Sequence, residues 1–313
     1  MVLTFWGVRG SIPCPLTPSE YRKRLSTIIH LIQPKDIVSP ENKERFLANL
    51  PAQLGNTIGG NTTCLEIRSE KGDLIVVDGG TGLRELGKNL EYDHDKGVHV
   101  HFFITHFHWD HLQGIPFCEL FFQPKNKITF YSKNPNLQQI LANQMIEPYF
   151  PVPMSIFPAK IEYVILKSDT VKINDVTVKF REVSHPGGCL SYKFEEYGKS
   201  LIFSTDTELQ TADFIQTKGN YSFYGKADVL IMDTQYTLGE SVNKANWGHT
   251  SFSHAVDFAL DYEIPRLYLF HHEPNYTDET VENLRQIAYW YAKNTKNKDI
   301  EVYISREGEK IYL

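Results

Sequence analysis

Apolar positions along this chain fall mostly into short runs with the period and length of strands, separated by turns and by a few stretches with helical spacing. Met1 to Gly7 reads as a first strand. Cys64 to Arg68, Asp73 to Val77, Val98 to Ile104, Lys127 to Tyr131, Glu162 to Leu166, Val176 to Glu182, Leu190 to Phe194, Ser200 to Ser204, Ala227 to Met232 and Leu267 to Phe270 continue the series. Leu74-Ile75-Val76-Val77 is apolar without interruption, the pattern of a strand buried on both faces. Helical spacing runs from Leu83 to Leu90. It returns after Gly248-His249-Thr250-Ser251, with Phe252, Ala255, Val256 and Ala259 on one side. A last helix from about Asp278 to Lys293 aligns Val281, Leu284, Ile287, Ala288 and Tyr291.

Residues 15–58 differ in character. Two helices are expected there, Ser19 to Ile32 and Pro40 to Leu50, each with an N-terminal stop signal. This reads as a helical insertion in a single domain spanning 1–313, suited to a lid or a subunit contact, and the chain allows a homodimer. Phe117, Phe121, Phe122, Tyr149 and Phe150, with Pro148, Pro151 and Pro153, are expected to be mainly core or lid packing. A subset of those rings near a functional site would be placed to stack on a base.

At 313 residues with 41% apolar and 22% charged side chains, the chain has the composition of a globular protein with a large core. No apolar run is long enough to span a bilayer. Met1-Val2-Leu3-Thr4 lacks the basic start of a signal peptide. The cysteines Cys14, Cys64, Cys118 and Cys189 form no CxxC pair, and buried thiols in a reducing cytoplasm are expected. A net charge of −6 disfavours long nucleic acid held electrostatically and points to a small substrate.

The candidate chemistry lies where the strand Val98 to Ile104 stops, in Thr105-His106-Phe107-His108-Trp109-Asp110-His111. Alternate residues at a strand end point the same way, so His106 and His108 can grip one ion, with Asp110 and His111 following on the turn. Imidazole with carboxylate suits zinc, manganese or iron. The pattern should arise by chance in roughly one chain in a thousand of this length, which weighs against a mere histidine-rich loop. His185, Asp206, Asp233 and His271 each follow the end of an apolar run as well. Strands delivering ligands to one sheet edge would look like this. Asp78, also at a strand end, either caps its turn or orients a metal-bound histidine. Gly7 and Gly10 read as turn glycines. Arg9, Ser11 and His272 reach a ligand only if their segments lie beside the metal loop.

Taken in order over most of the chain, His106-x-His108-x-Asp110-His111, His185, Asp206 and His271 resemble the ligand set of metallo-β-lactamase-fold hydrolases. The resemblance implies an α/β (α+β) fold, a four-layer αββα sandwich of two mixed sheets flanked by helices. The HxHxDH form with a lone Asp206 is similar to the phosphodiesterase branch, which includes tRNase Z and small cyclic-phosphate diesterases. Gly248-His249-Thr250-Ser251 resembles the Gly-His-Ser-Thr segment of tRNase Z. Val229-Leu230-Ile231-Met232-Asp233-Thr234 resembles the segment carrying that family's His-Glu-Ala-Thr motif, with Met232 and Asp233 in place of His and Glu. No counterpart of the basic arm that grips tRNA is evident. Bacterial members of the superfamily share Phe5-Trp6-Gly7-Val8-Arg9-Gly10-Ser11, the His106 motif, Trp247-Gly248-His249 and Phe270-His271-His272.

The resemblance further implies two divalent ions, zinc foremost with manganese or iron(II) as alternatives. His106, His108 and His185 would hold one, Asp110, His111 and His271 the other, and Asp206 would bridge them. It implies a metal-dependent phosphodiesterase whose bridging hydroxide attacks a small or nucleotide-derived phosphodiester. Asp110 would help orient the hydroxide, and His249 backed by Asp233 would protonate the leaving oxygen. Rival readings on the same ions are a lactone, lactam or thioester hydrolase and a tRNA 3′-end endoribonuclease.

Overall fold

The computed structural model describes residues 1–296 and 298–313. Strand β1 (Val2–Gly7) is followed by helices α1 (Pro18–Leu31), α2 (Pro40–Ala48) and α3 (Ala52–Gly55). Next come β2 (Cys64–Arg68), β3 (Leu74–Val77), α4 (Gly82–Asn89), β4 (His99–Phe103), β5 (Lys127–Ser132), α5 (Leu137–Asn143) and β6 (Lys160–Ile165). The second half runs β7 (Thr170–Ile173), β8 (Val176–Val183), β9 (Cys189–Glu196), β10 (Lys199–Ser204), α6 (Lys218–Tyr224) and β11 (Val229–Asp233). It closes with α7 (Leu238–Asn243), α8 (Phe252–Asp261), β12 (Arg266–Phe270), α9 (Asp278–Thr295), β13 (Glu301–Ile304) and β14 (Lys310–Tyr312).

The strands form two mixed seven-stranded sheets, ordered β14-β1-β2-β3-β4-β5-β6 and β13-β12-β11-β10-β9-β8-β7. In each sheet one run is parallel, β3 to β6 and β10 to β13, and the remainder antiparallel. Phe5, Ile75, Val77 and Phe103 of the first sheet meet Tyr192, Phe203, Ile231 and Phe270 of the second in the central core. The other side of the first sheet packs Val76, Phe102 and Phe130 under Leu83 and Leu86 of α4 and Leu137 and Leu141 of α5. The other side of the second packs Leu230, Met232 and Leu267 under α8 and α9. A strand covered on both faces has no polar side to present, which is why β3 and β11 are buried at every residue. The result is the expected αββα sandwich, the metallo-β-lactamase fold.

The helical stretch between β1 and β2 is built differently. Thr17 and Glu20 form a reciprocal capping box at the start of α1, and Ser39 caps α2. Helices α1, α2 and α3 nonetheless bury no residue, and Tyr21, Leu25 and Ile29 of α1 are exposed. What ties the stretch down is polar. Asp278, at the N-terminus of α9, accepts hydrogen bonds from Arg9 Nη2 (2.8 Å), Arg24 Nη2 (2.7 Å), Thr57 Oγ1 (3.0 Å) and the Ile58 amide (3.1 Å). Arg9 is therefore spent on this clasp and does not reach the cleft described next.

Candidate metal centre

The two parallel runs bring the C-terminal ends of β3, β4, β10, β11 and β12 to one edge of the sandwich, where ligands of open α/β sheets collect. Three residues just past these ends, Asp78 (φ 61°), Asp206 (φ 43°) and His271 (φ 59°), adopt left-handed backbone. That conformation costs a non-glycine residue about 1 kcal/mol and is retained where the surrounding structure enforces it, commonly at functional sites. Past β4 the chain bends at Thr105, is extended again at His108, then enters a single 3₁₀ turn over Trp109–His111 that presents Asp110 and His111.

Two clusters result. Ligand atoms of His106, His108, His185 and Asp206 lie within 4.8 Å of one another, and so do those of Asp110, His111, Asp206 and His271. Asp206 belongs to both, with Oδ2 3.6 Å from His106 Nε2 and Oδ1 3.1 Å from His111 Nε2 and 3.3 Å from His271 Nε2. A third group joins Asp233, His249 and His271. All nine candidate residues named from the sequence thus gather at one edge.

Hydrogen bonds behind the rings fix which nitrogen faces the cleft. His111 Nδ1 donates to Asp78 Oδ2 (2.8 Å), so Nε2 is the ring atom that faces Asp110 and Asp206. His185 Nδ1 donates to the Gly248 carbonyl (2.9 Å), so its Nε2 lone pair points at His108 Nδ1, 3.1 Å away. The Ser11 amide donates to Asp110 Oδ2 (2.8 Å). Asp78 is wholly buried and also accepts from the Thr105 amide (2.8 Å) and hydroxyl (2.6 Å). Of its two expected roles, it holds a histidine rather than capping the turn.

Buried ring atoms without a hydrogen-bond partner include His106 Nε2 and His111 Nε2. Unpaired lone pairs are costly in a protein interior, and several converging here fit a cation. Burial would raise the Asp206 carboxyl, but His271, His111 and His106 outweigh it and hold it well below the ordinary carboxylate range. Burial likewise works against ionised Asp110, and His111 and His271 again prevail. Burial, reinforced by repulsion from His111, pushes His106 well below the usual imidazole value, which keeps it a neutral donor. Against burial, Asp206 and Asp110 raise His111 well above the usual imidazole value and bring His271 up to about 9, so these two rings hold protons that a bound cation would displace. Imidazole with carboxylate is the donor set of zinc, manganese or iron.

Two glycines are set by this packing. A Cβ on Gly10 would stand 2.5 Å from His271 Cε1, and one on Gly248 would stand 2.2 Å from His185 Nδ1. Gly10 is therefore required by close approach to a ring and not by turn chemistry, correcting the simpler expectation. His272 faces away from the cleft, its Nε2 donating to the Ser305 carbonyl (3.1 Å). Unforeseen from the sequence is Glu208, whose carboxylate accepts from the Asn246 and Gly248 amides (3.0 Å each) and so anchors the loop that carries His249.

His249 Nδ1 donates to Asp233 Oδ2 (2.6 Å), and the carboxylate also accepts the amides of Thr207 (3.2 Å) and Gln235 (3.0 Å). The His249 ring lies stacked 5.0 Å from His271 and edge-on 5.4 Å from His185. Together with His108, Asp110, Asp206 and His271 it lines an open cleft of about 470 Å³.

A sandwich of this kind, with histidines and carboxylates at one sheet edge, defines the class of metallo-β-lactamase-fold hydrolases. The family model of the β-lactamase superfamily domain matches residues 74–272, and the chain belongs to that family. It is 23% identical over 247 residues to Ribonuclease Z of Thermoplasma acidophilum, covering 64% of this chain and 78% of that protein. Among solved structures, the metallo-β-lactamase fold protein YhfI from Bacillus subtilis superposes with a TM-score of 0.64 at 17% identity, covering 99% of this chain and 98% of that one. A diphosphatase of the PhnP family superposes at 0.62 and 14% identity, covering 100% and 97%. No helix among the described residues is long and apolar enough to cross a membrane.

Proposed function

We propose that the protein is a dinuclear metal-dependent phosphodiesterase acting on a small or nucleotide-derived phosphodiester. In this reading His106, His108 and His185 hold one divalent ion and Asp110, His111 and His271 the other, with Asp206 shared; zinc fits the donor set best. Such ions, when bound, supply Lewis-acid polarisation of a phosphoryl oxygen and a water acidified to near neutral pH.

The protein's own residues do the rest. Asp110, steadied by the Ser11 amide, accepts a hydrogen bond from the attacking water and aims it. Departure of the alkoxide requires a proton. His249 is the group placed to give it, because Asp233 takes the Nδ1 hydrogen and leaves Nε2 as the atom that can load and release a proton. Asp233 is buried and accepts three hydrogen bonds, so it is held in place to orient the ring.

The observation that carries the reading is this Asp233–His249 pair against the candidate metal ligands. A lactone or lactam also expels an alkoxide or a nitrogen that must take up a proton, so the pair accounts for the leaving group and the choice of phosphorus over carbonyl rests on the relative matched above. The matched Ribonuclease Z is an RNA-processing enzyme by name, which supports phosphorus over carbonyl chemistry. The test compares turnover of bis(p-nitrophenyl) phosphate with that of a chromogenic lactam and a lactone by the metal-loaded protein. Phosphate ester turnover well above the other two is expected. A preference for the lactam or the lactone would overturn the proposal.

A further inference from the structure

A second cavity, about 520 Å³, opens directly off the cleft and takes no part in the chemistry proposed above. Phe107 and Trp109 line both spaces. They alternate with the candidate ligands His106, His108 and Asp110, so the register that delivers those ligands also delivers two rings between cleft and cavity. Phe117 and Phe150, in edge-to-face contact at 5.8 Å, and Tyr149 form the farther wall. Three of these rings are strongly exposed: Trp109 at 82%, Tyr149 at 81% and Phe117 at 58%. Phe117 and Tyr149, expected mainly as core or lid packing with a subset of such rings placed to stack on a base, join Trp109 around an accessible space of the size that drug-like and cofactor ligands occupy, roughly 300–1,000 Å³.

Polarity says what kind of ligand fits. The apolar wall is interrupted by the amides of Gln113, Asn143 and Gln144. Gln144 Nε2 is buried and has no hydrogen-bond partner, a donor that is costly to leave unmet. An aliphatic chain would fill the volume and leave that donor unmet. A flat ring bearing carbonyl or ring-nitrogen acceptors would satisfy both. Among the described residues neither Lys nor Arg lines this cavity or the cleft, a lining that does not suit a long polyanionic backbone.

Building on the phosphodiesterase reading, we infer that this cavity is the subsite for the nucleobase of a small nucleotidic phosphodiester. The base packs against Trp109 and Tyr149 and accepts a hydrogen bond from Gln144, while the phosphodiester lies in the adjoining cleft.

The metal-loaded protein is assayed with thymidine 5′-(p-nitrophenyl) phosphate and with methyl p-nitrophenyl phosphate, which share their leaving group and differ only in the substituent the cavity would hold. We expect kcat/KM to favour the nucleoside ester by about 10-fold or more. Trp109→Ala and Tyr149→Ala, from separate segments, should each bring that ratio toward one, and Gln144→Leu should lower it less. Effects on metal loading cancel in the ratio. Thymidine itself should quench the tryptophan fluorescence of the protein, and lose most of that effect in Trp109→Ala. Turnover of both esters at a ratio near one overturns the subsite and leaves the phosphodiesterase standing. Failure of both esters beside lactone turnover overturns the phosphodiesterase, and the thymidine titration then decides the subsite on its own.

Discussion

Asp78→Asn is the change that most directly probes how the candidate centre is held. The native carboxylate accepts three hydrogen bonds, from His111 Nδ1 at 2.8 Å and from the Thr105 amide and hydroxyl at 2.8 and 2.6 Å. Burial pushes the Asp78 carboxyl up, and His111 and Thr105 pull against it. An asparagine has the same shape but only one acceptor oxygen. If that oxygen keeps the Thr105 amide, its NH₂ faces His111 Nδ1 and must donate to it. The imidazole proton then moves to Nε2, the atom that faces Asp110 and Asp206, and the ring can no longer offer a lone pair there without a tautomer penalty. Loss of a carboxylate behind a ligating histidine costs about 10–100-fold in metal affinity, or roughly 1.4–2.8 kcal/mol. Competition with a chromogenic zinc chelator would measure it, with long-range ¹H–¹⁵N spectra of the ring reporting the tautomer. Unchanged affinity together with an unchanged His111 tautomer would refute the reasoning. An affinity loss without a tautomer change would refute the mechanism given for it.

Other expectations follow from the same geometry. His249→Ala should slow diesters with poor leaving groups by about 10²–10⁴-fold and p-nitrophenyl esters far less, with metal content retained; loss of the ions in this variant would show that the ring is a ligand rather than a proton donor. Asp206→Ala should abolish metal retention, since this one carboxylate faces His106, His111 and His271, and full occupancy by elemental analysis would sink the shared-ligand role. On β4, burial and then repulsion from His99 bring His101 down to about 4. Because the unfolded chain binds that proton near pH 6.5 and the native protein does not, the stability contribution is complete above pH 6.5 and is lost as pH falls toward 4. His101→Gln should therefore flatten the acid side of the urea-midpoint profile by on the order of 1 kcal/mol at pH 5, allowing for solvent screening; an identical pH slope in both proteins would count against it.

The repeating strand-then-polar-residue pattern was enough to anticipate residues converging at one sheet edge, because strand ends are where a period-two pattern breaks, whereas the sandwich itself was implied by the resemblance of the ligand motifs. Asp78, Asp206, Asp233 and His271 are legible for that reason. Less legible were the elements that carry little apolar signal. β7 and β14 are short and partly exposed, and β13 alternates over only four residues, so none rose above the background of loops. The supporting contacts were invisible for another reason. Glu208, Thr105 and the Gly248 carbonyl act through hydrogen bonds between segments up to 63 residues apart, and local sequence has no signature for such a pairing. Gly10 was visible but misread, since a glycine demanded by a neighbouring ring looks like one demanded by a turn.

The Asp278 clasp has a dynamic corollary. A stretch of three helices that buries no side chain draws little from the hydrophobic core, and its attachment rests on charge-assisted hydrogen bonds to one carboxylate. Such a stretch is a separate opening unit, able to detach while both sheets stay intact. Its amides should exchange with deuterium well before those of β3 or β11. Burial opposes ionisation of Asp278, but Arg24 and the Ile58 amide more than offset it and lower its proton affinity, so the clasp holds above the carboxylate range and fails as acid protonates it. Protonation of Asp278, below the ordinary carboxylate range, would therefore free the helices without requiring either sheet to open.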